Sequence, residues 1–430
     1  MSRRLLAACM ALFIAAPMAF CAGGSKIKLL HWNAYEENRD FYEYVVKEFN
    51  KEYPDIEIET EIFNQQDLDK KLAVSIPSET AADILDLISV QSFPYAEKYF
   101  AEVPDYLKKN VLQAINKDYL HDCYYGDKLM GVPYSFYSEV IYYNKKMFAE
   151  AGLPDRAPNT IDELVDFARK LTKYDKDGNV VRSGLSMRLS GNPSGTVEKF
   201  QALGLFPQGV NVLAPAKKAG KWHNGLNNEG GFKALKLYID LLYKYKVTDF
   251  NITQDFAGFA QEKAAMLERE QYLVDKMLKD APSVSYGAAA VPGQVQRGTF
   301  AITRNLFVSK ASKNQDACWK FINFMYQKRF MEKLTKDEAW ISTRKDIDYP
   351  TLLKDKPQLW DASKGTPDLV YIWQKRIKPE NEIMNRLGES LAIVFRDKSL
   401  AGDDAKIRAE VAKLGKMIDD VLKENDLYGE

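Results

Sequence analysis

Residues 26–33, Lys26-Ile-Lys-Leu-Leu-His-Trp-Asn33, have the apolar composition of a β-strand and open an alternating series of strands and helices. In residues 56–62, apolar side chains alternate with glutamates, which is the period of a strand with one exposed face. Residues 84–90 form a short, nearly continuous apolar run, as in a buried parallel strand. Apolar residues at helical spacing fill the two intervals: Phe41, Val45 and Phe49 in the first, and Leu68, Leu72 and Ile76 in the second. This β-α-β-α-β order predicts an α/β sheet.

The same alternation resumes after residue 138. Thr160 and Glu163 have the spacing of a capping box, and apolar residues at helical spacing follow them. Residues 285–309 predict two strands around a loop that contains proline and glycine. Apolar residues from Ile407 to Val421 predict a long terminal amphipathic helix. The whole chain therefore belongs to the α/β class, and its length of 430 residues favours two or three domains.

The composition excludes several classes of protein. Lys and Arg together number 60, as do Asp and Glu, so the formal charge is zero. A nucleic-acid-binding domain usually shows a strong basic excess, and we predict no nucleic-acid partner. The hydrophobic fraction of 46% also excludes a highly charged disordered chain and fits a well-packed globular protein.

The N-terminus predicts export. Arg3 and Arg4 precede the apolar run from Leu5 to Ala16, which is too short to span a bilayer. We predict a signal peptide over residues 1–24. Cys21 offers an alternative, in which a lipoprotein signal ends before it and the cysteine carries a lipid. The predicted location is therefore the periplasm, or the outer face of the cytoplasmic membrane if a lipid attaches the protein there.

Two cysteines, Cys123 and Cys318, lie beyond the signal region. In an exported protein they can form a disulfide, and the alternative is two separate buried thiols. The sequence leaves both readings open.

The motifs of common enzyme classes are missing from the sequence. There is no phosphate-binding G-x-x-x-x-G-K-[ST], no G-x-G-x-x-G after the first strand, no H-E-x-x-H, no G-x-S-x-G and no C-x-x-C. The chain has only three histidines. We therefore predict a protein that is not an enzyme and that uses neither a cofactor nor a metal.

Six stretches between about residues 26 and 345 carry a further signal. The most specific contains Gly131-Val-Pro-Tyr-Ser135, Ile141-Tyr-Tyr-Asn-Lys145 and Pro158-Asn-Thr-Ile-Asp-Glu-Leu164. The others are Leu30-His-Trp-Asn33 with Phe49-Asn-Lys-Glu-Tyr-Pro54, Ala82-Asp-Ile-Leu-Asp-Leu87, Glu262-Lys-Ala-Ala-Met266, Val291-Pro-Gly293 with Trp319-Lys-Phe-Ile-Asn-Phe324, and Trp340-Ile-Ser-Thr-Arg344. Taken in the order in which they occur along the chain, the six stretches resemble the family 1 extracellular solute-binding proteins of ABC importers. This family includes maltose, multiple-sugar and glycerol-3-phosphate binding proteins.

The sequence departs from the family pattern at two places. Ala82 replaces a proline that the family usually has, and Glu270-Gln-Tyr272 stands where the family tends to have Gly-Ser-Trp.

The resemblance implies a periplasmic-binding-protein fold, in which two α/β lobes enclose a ligand cleft and three segments cross between the lobes. The crossings are expected near Tyr134–Ser138, Pro292–Thr299 and Lys336–Trp340. The expected N-terminal lobe comprises residues 25–135 and 298–338, and the C-terminal lobe residues 136–297 and 339–430. A ligand should bind outside the carboxyl ends of the strands, where open α/β sheets place their ligands.

Eleven residues are candidate ligand contacts, because they end predicted strands, match cleft or hinge positions of the family, or stand in a polar stretch. Aromatic rings stack on sugar rings, and amides and hydroxyls can hydrogen-bond to sugar hydroxyls. The candidates are Trp32, Asn33, Ser89, Gln91, Tyr134, Ser135, Tyr137, Trp222, Tyr272, Arg304 and Trp340. Each has a structural alternative, such as a packed core tryptophan or, for Arg304, a surface ion pair in place of a bound phosphate.

We therefore predict an exported, monomeric solute-binding protein that captures a sugar or oligosaccharide by hinge closure and delivers it to an ABC importer permease in the membrane. The first alternative keeps this fold and binds a phosphorylated polyol or a polyamine. A cleft-facing Arg304 would favour the polyol, and cleft carboxylates would favour the polyamine. The remote alternative is a secreted carbohydrate-active enzyme.

Overall fold

The computed structural model describes residues 26–34 and 36–430, without the side chain of Glu37. The predicted signal peptide, residues 1–24 with Cys21, lies outside the described residues. Within the described ranges, no helix is both long and apolar enough to cross a membrane.

Most of the described strands belong to one large sheet, and the rest form two-stranded ribbons. The strands are β1 (Ile27–Asn33), β2 (Ile56–Ile62), β3 (Ile84–Leu87), β4 (Tyr124–Tyr125), β5 (Lys128–Leu129), β6 (Gly131–Asn144), β7 (Lys173–Tyr174), β8 (Val180–Arg182), β9 (Leu213–Pro215), β10 (Trp222–Asn224), β11 (Met266–Glu270), β12 (Tyr286–Ala290), β13 (Arg297–Val308), β14 (Ile341–Ser342) and β15 (Leu369–Trp373).

Helices cover the faces of the sheet. The α-helices are α1 (Arg39–Glu52), α2 (Gln65–Ser75), α3 (Ser89–Ser92), α4 (Ala96–Tyr99), α5 (Asp105–Ala114), α6 (Lys145–Glu150), α7 (Ile161–Leu171), α8 (Pro193–Phe200), α9 (Glu229–Ile239), α10 (Asp255–Ala260), α11 (Leu273–Asp280), α12 (Gln315–Met325), α13 (Lys328–Glu338), α14 (Tyr349–Leu352), α15 (Pro357–Ser363), α16 (Glu380–Val394) and α17 (Asp404–Glu424).

Two long strands, β6 and β13, join the two halves of the molecule. The first half of β6 pairs with the second half of β13, and the second half of β6 pairs with β11 and β12. The first half of β13 pairs with β15, and its end pairs with β3. The N-terminal half of the sheet has the order β6-β13-β3-β1-β2, in which β1 is parallel to both of its neighbours. The β-α-β-α-β order predicted for the first 90 residues is confirmed.

The buried apolar residues form three clusters. The first packs β1, β3 and α1 against α12 and α13. The second contains residues from α7, α8, α9, α16 and α17. The third lies where the two halves meet and contains Phe136 and Val140 from the middle of β6. Each half therefore has its own hydrophobic core, as expected for two lobes.

The segment after α13 remains with the N-terminal half. Ile341 and Ser342 pair with the first half of β6, and the Lys345 amide donates to the carbonyl of Ala114 at 2.8 Å. Ile347 packs in the first cluster. Contacts with the N-terminal half therefore continue beyond residue 339, where the C-terminal lobe is expected to begin.

Local signals in the sequence explain several helix ends. The Thr160 hydroxyl accepts a hydrogen bond from the amide of Glu163 at 3.1 Å, which confirms the cap predicted for α7. The Glu163 carboxylate accepts from the amide of Asn159, one residue before the position expected in a capping box. Phe41, Val45 and Phe49 are buried along one face of α1, as their spacing predicts.

Both cysteines beyond the signal region are free and buried. The Cys123 thiol donates to Oδ1 of Asn305 at 3.2 Å, and Cys318 Sγ lies 3.8 Å from Oγ of Ser312. Of the two readings that the sequence left open, the structure favours separate buried thiols over a disulfide.

Helices α8 and α16 approach each other closely at Gly388. A Cβ atom at this position would lie 2.1 Å from the carbonyl oxygen of Pro193, the first residue of α8. Only glycine permits this approach without a shift of one helix, because the Cβ atom of any other residue would collide with the backbone carbonyl oxygen of Pro193.

We expect Gly388→Ala to destabilise the protein by about 1–3 kcal/mol, since the added methyl group forces the two helices apart. Urea unfolding followed by circular dichroism measures this change. The control Glu389→Ala removes an exposed side chain next to it in α16 and should change stability by less than about 0.5 kcal/mol. Equal effects of the two substitutions on the free energy of unfolding would show that the close approach of the two helices at Gly388 does not limit stability.

Candidate functional site

A cavity of about 380 Å³ lies between the two halves of the molecule. Its volume falls in the range typical of small-molecule sites, roughly 300–1,000 Å³. One wall comes from α2 and the turn around α3, and the other from the start of α8, the end of β15 and α16. The lining residues are Gln65, Gln66, Asp69, Lys70, Ile88, Val90, Asn192, Pro193, Ser194, Glu198, Gln374, Asn381, Met384 and Asn385.

Amide side chains dominate this lining. Both walls contribute them, and they are Gln65, Gln66, Asn192, Gln374, Asn381 and Asn385. An amide offers two donor hydrogens and an acceptor oxygen, so it can form a hydrogen bond with a hydroxyl group that acts as donor or as acceptor. Among the described residues, the charged groups in the lining are Asp69, Lys70 and Glu198. The cavity therefore suits a ligand with many hydroxyl groups.

Asp69 is held in place by Gln91. The Gln91 Nε2 donates to Oδ1 of Asp69 at 2.7 Å, and Oε1 of the same side chain accepts from the amide of Ile88 at 3.1 Å. Burial raises the pKa of Asp69 above its usual value. Gln91 thus fixes the orientation of an acidic group on the N-terminal wall.

Glu198, on the opposite wall, lies beside a buried cluster of charges. Carboxylate oxygens of Glu139, Glu198 and Glu270 lie within 4.8 Å of one another. The Lys199 ammonium donates to Oε1 of Glu270 at 2.8 Å and to Oε1 of Glu139. Because this ammonium already bridges two of the three carboxylates, the cluster is an ion-pair network and a poor place for a divalent cation.

Burial raises the pKa of Glu198 to about 7 from a usual value of 4.5. Between these two pH values the folded state binds a proton that the unfolded state releases, so the free energy of unfolding falls as the pH rises. We therefore expect Glu198→Gln to stabilise the protein by about 1–3 kcal/mol at pH 8, with a gain that shrinks towards pH 5.

Urea unfolding at several pH values checks this prediction. The exposed Glu229, which pairs with Arg408 at 2.8 Å on the surface of the C-terminal half, provides the control Glu229→Gln. A stabilisation by Glu198→Gln that did not depend on pH would contradict the prediction.

Three aromatic residues from the predicted set form a group at the junction of the two halves. Tyr272 stacks on Trp340 with ring centroids 4.6 Å apart and an angle of 6° between the planes. Tyr137 meets both rings edge-on, at 5.6 and 5.8 Å. Trp340 is 1% exposed and packs in the N-terminal core, whereas Tyr272 is half-buried after β11. The stack therefore joins the two halves through ring contacts.

Arg304 lies in a buried ion pair with Asp86. Its Nη2 lies 2.7 Å from Oδ2 of Asp86 and donates to Oδ1 of Asn33 at 2.9 Å, and its Nε donates to Oδ1 of Asp86 at 3.1 Å. The hydroxyl groups of Tyr42 and Tyr134 donate to the same Asp86 carboxylate at 2.9 and 2.7 Å. Arg304 has no exposed surface, so its ion pair is buried and does not lie on the surface, whereas its contact with a ligand stays a prediction.

Trp32, Ser135 and Trp222 lie outside the cavity lining. Trp32 is 2% exposed, and the ammonium of Lys71 lies 4.1 Å from the centre of its ring. Ser135 is fully buried in β6. Trp222 lies in the ribbon of β9 and β10, where its backbone pairs with that of Tyr428 near the C-terminus.

Ser89 and Gln91 do not end the third strand, because β3 stops at Leu87 and both residues belong to α3. They nevertheless flank Ile88 and Val90, which line the cavity. None of the eleven predicted residues is itself in the lining, and their direct contact with a ligand stays a prediction. The lining residues missed from the sequence are polar side chains in loops and helix starts, where no spacing rule identifies them.

A second, more open groove of about 1080 Å³ lies where residues 109–124 meet β15. Leu112, Leu120, Tyr371 and Trp373 give it a more apolar lining than the cavity. The smaller cavity is the better candidate site, because both halves enclose it and its polar groups converge.

A family model described as bacterial extracellular solute-binding protein matches residues 34–332. The chain belongs to this solute-binding protein family. A binding protein of Brucella abortus is 26% identical over 319 residues, which cover 72% of this chain and 74% of that protein. The multiple sugar-binding protein of Streptococcus mutans is 21% identical over 331 residues, which cover 72% of this chain and 73% of the relative.

The fold has close counterparts among solved structures. The ABC substrate-binding protein from Listeria monocytogenes in complex with cycloalternan gives a TM-score of 0.76 at 21% identity, and the match covers 91% of this chain and 99% of that one. The family resemblance and the two-lobe α/β fold predicted from the sequence are confirmed. Members of this family are binding proteins, in agreement with the predicted class of function.

Proposed function

We propose that this solute-binding protein captures a carbohydrate in the cavity between its lobes. The observation that carries the proposal is the amide-rich lining, which both lobes contribute. A sugar offers a hydroxyl on most of its carbons, and each needs a hydrogen-bond partner once water is excluded. The relative from Streptococcus mutans is described as sugar-binding, and the Listeria structure contains an oligosaccharide, which supports the same ligand class.

Capture would occur by hinge closure. The middle parts of β6 and β13 and the passage after Ile347 would serve as the three crossings. The proposed N-terminal lobe comprises residues 25–135 and 298–347, and the proposed C-terminal lobe comprises residues 136–297 and 348–430. A ligand that contacts both walls stabilises the closed form over the open form, and this difference in affinity drives closure.

The protein would act outside the cytoplasm as a monomer and present the closed form to an ABC importer permease. The predicted export signal supports this location. A lipid at Cys21 would hold the protein at the outer face of the membrane, and simple cleavage would release it into the periplasm.

The charges in the cavity argue against a phosphorylated polyol. Asp86 already balances the buried Arg304, which leaves Lys70 as the basic group in the described lining. A phosphate carries up to two negative charges and would meet Asp69 and Glu198 as well. These two carboxylates are the feature that favours a cationic ligand as the second candidate.

Thermal unfolding of the mature protein tests the proposal with two panels, one of mono- and oligosaccharides of glucose, galactose, mannose, xylose and arabinose, and one of phosphorylated polyols. A ligand at 100 times its dissociation constant adds about 2.7 kcal/mol to stability, which shifts the midpoint by several degrees. Chromatography of the sugar after incubation tests the enzyme alternative, since a binding protein returns its ligand unchanged. A shift with phosphorylated polyols alone would contradict the proposal.

A further inference from the structure

Two carboxylates face the cavity without a basic partner. Among the described residues, no side chain or amide donates a hydrogen bond to the carboxylate of Glu198, and Asp69 accepts only from the neutral Gln91. Neither group forms an ion pair in the described part of the chain. Lys70 is the basic residue of the described lining, and its ammonium lies 3.8 Å from the carboxylate of Asp67, which is not part of the lining.

The surroundings of Glu198 add further negative charge. Apart from burial, the negative charges of Glu139 and Glu270 raise the pKa of Glu198, whereas the positive charges of Lys199 and Arg188 lower it. The carboxyl group of Glu268 lies beside that of Glu139. Arg269 bonds to Glu270 at 2.7 Å but also pairs with Asp255. Carboxyl groups therefore outnumber cations in this part of the C-terminal lobe.

The cluster is also deeply buried. Glu139 and Glu268 are only 2% and 4% exposed, and burial together with a hydrogen bond to Glu139 raises the pKa of Glu268. Burial disfavours the charged form of a carboxyl group, and a positive charge nearby offsets that cost. A cation that entered the cavity and contacted Glu198 would add to the positive charge that Lys199 supplies.

We infer that the ligand carries a protonated amine, which binds to Glu198 on the C-terminal wall while Asp69 closes on it from the opposite lobe. This inference rests on the proposed function and specifies its ligand. Both amino sugars and polyamines carry an alkylammonium group. The six amides of the lining favour an amino sugar, because a polyamine has no hydroxyl groups to satisfy them.

The inference predicts a difference in affinity between matched ligands. A hydrogen bond to an ionised group contributes more than one to a neutral group, so the amine should bind about 10- to 100-fold more tightly than its hydroxyl counterpart. The same argument predicts that Glu198→Gln weakens binding of the amine much more than binding of its neutral counterpart and so removes most of this preference.

Calorimetric titration at pH 7 tests the inference with paired sugars. The pairs are glucose and glucosamine, galactose and galactosamine, mannose and mannosamine, and cellobiose with the β-1,4-linked glucosamine disaccharide, and putrescine and spermidine form a separate arm. We expect at least one amine to bind at least tenfold more tightly than its neutral partner, and Glu198→Gln to abolish the preference. Glu229 is an exposed glutamate outside the cavity lining, so Glu229→Gln is the matched control and should keep the preference.

Each other outcome has a definite meaning. Binding of neutral sugars with equal or higher affinity than their amines overturns the amine inference and leaves the proposed function intact. Binding of polyamines alone supports the role of Glu198 and overturns the carbohydrate proposal. A preference that survives in Glu198→Gln, or no binding of any amine, overturns the inference.

Discussion

Replacing Arg304 with methionine will destabilise the folded protein by about 3–5 kcal/mol, because it leaves the carboxylate of Asp86 buried without its cation. Both residues have no exposed surface, so water cannot replace the lost partner. The Arg304 guanidinium also lies 5.4 Å from the ring centre of Trp340, and it donates to Asn33. The substitution therefore affects the contacts with Asp86, Asn33 and Trp340 at the junction of β13 with the N-terminal core.

Urea unfolding followed by circular dichroism measures the effect. The matched comparison is Asp86→Leu, alone and combined with Arg304→Met. Because the double variant buries no unpaired charge, it should be less destabilised than the sum of the two single variants. A loss of less than about 1 kcal/mol for Arg304→Met would show that the ion pair does not stabilise this core.

Removing one amide from either wall of the cavity will weaken carbohydrate binding. We expect Gln65→Leu on the N-terminal wall and Asn385→Leu on the C-terminal wall each to raise the dissociation constant about 10- to 100-fold, since a buried sugar hydroxyl loses its partner. Leucine keeps most of the side-chain volume, so the cavity keeps its shape. Calorimetric titration with the sugar that gives the largest thermal shift measures the change.

The control for this pair is Asn227→Leu. Asn227 is an exposed asparagine that lines a separate surface pocket between β9, β10 and the start of α9. Its replacement should leave the dissociation constant unchanged within about twofold. Loss of affinity in only one of the two cavity variants would place the ligand on a single lobe and contradict a site between the lobes.

Much of the fold was predictable because it depends on short-range periodicity. The alternation of isoleucine and glutamate in residues 56–62 matches β2 to the residue, and the two strands expected in residues 285–309 appear as β12 and β13. The contacts of residues 340–347 with the N-terminal half were not predictable in this way. The hydrogen bond from Lys345 to Ala114 joins residues more than 200 positions apart, and no local sequence pattern indicates it.

The candidate site was harder to predict than the fold. Aromatic residues such as Trp32 are conspicuous in the sequence, but Phe63 and Lys71 cover this ring in the structure. The residues that line the cavity, such as Gln65 and Asn385, are ordinary polar residues on two helices that are distant in sequence. Their convergence depends on the packing of the two lobes. One local signal exists at Asn192, because an asparagine before a proline marks the start of a helix, and the first residues of α8 line the cavity.

Hydrogen–deuterium exchange of the mature protein, with and without a saturating sugar chosen by thermal unfolding, tests the central claim most directly. The account predicts slower exchange in peptides from both walls at once, residues 65–70 and 88–91 of the N-terminal lobe and residues 192–198 and 374–385 of the C-terminal lobe. Exchange in residues 109–120, which line the open groove, should not change. Protection limited to one lobe, or centred on that groove, would contradict capture between the lobes.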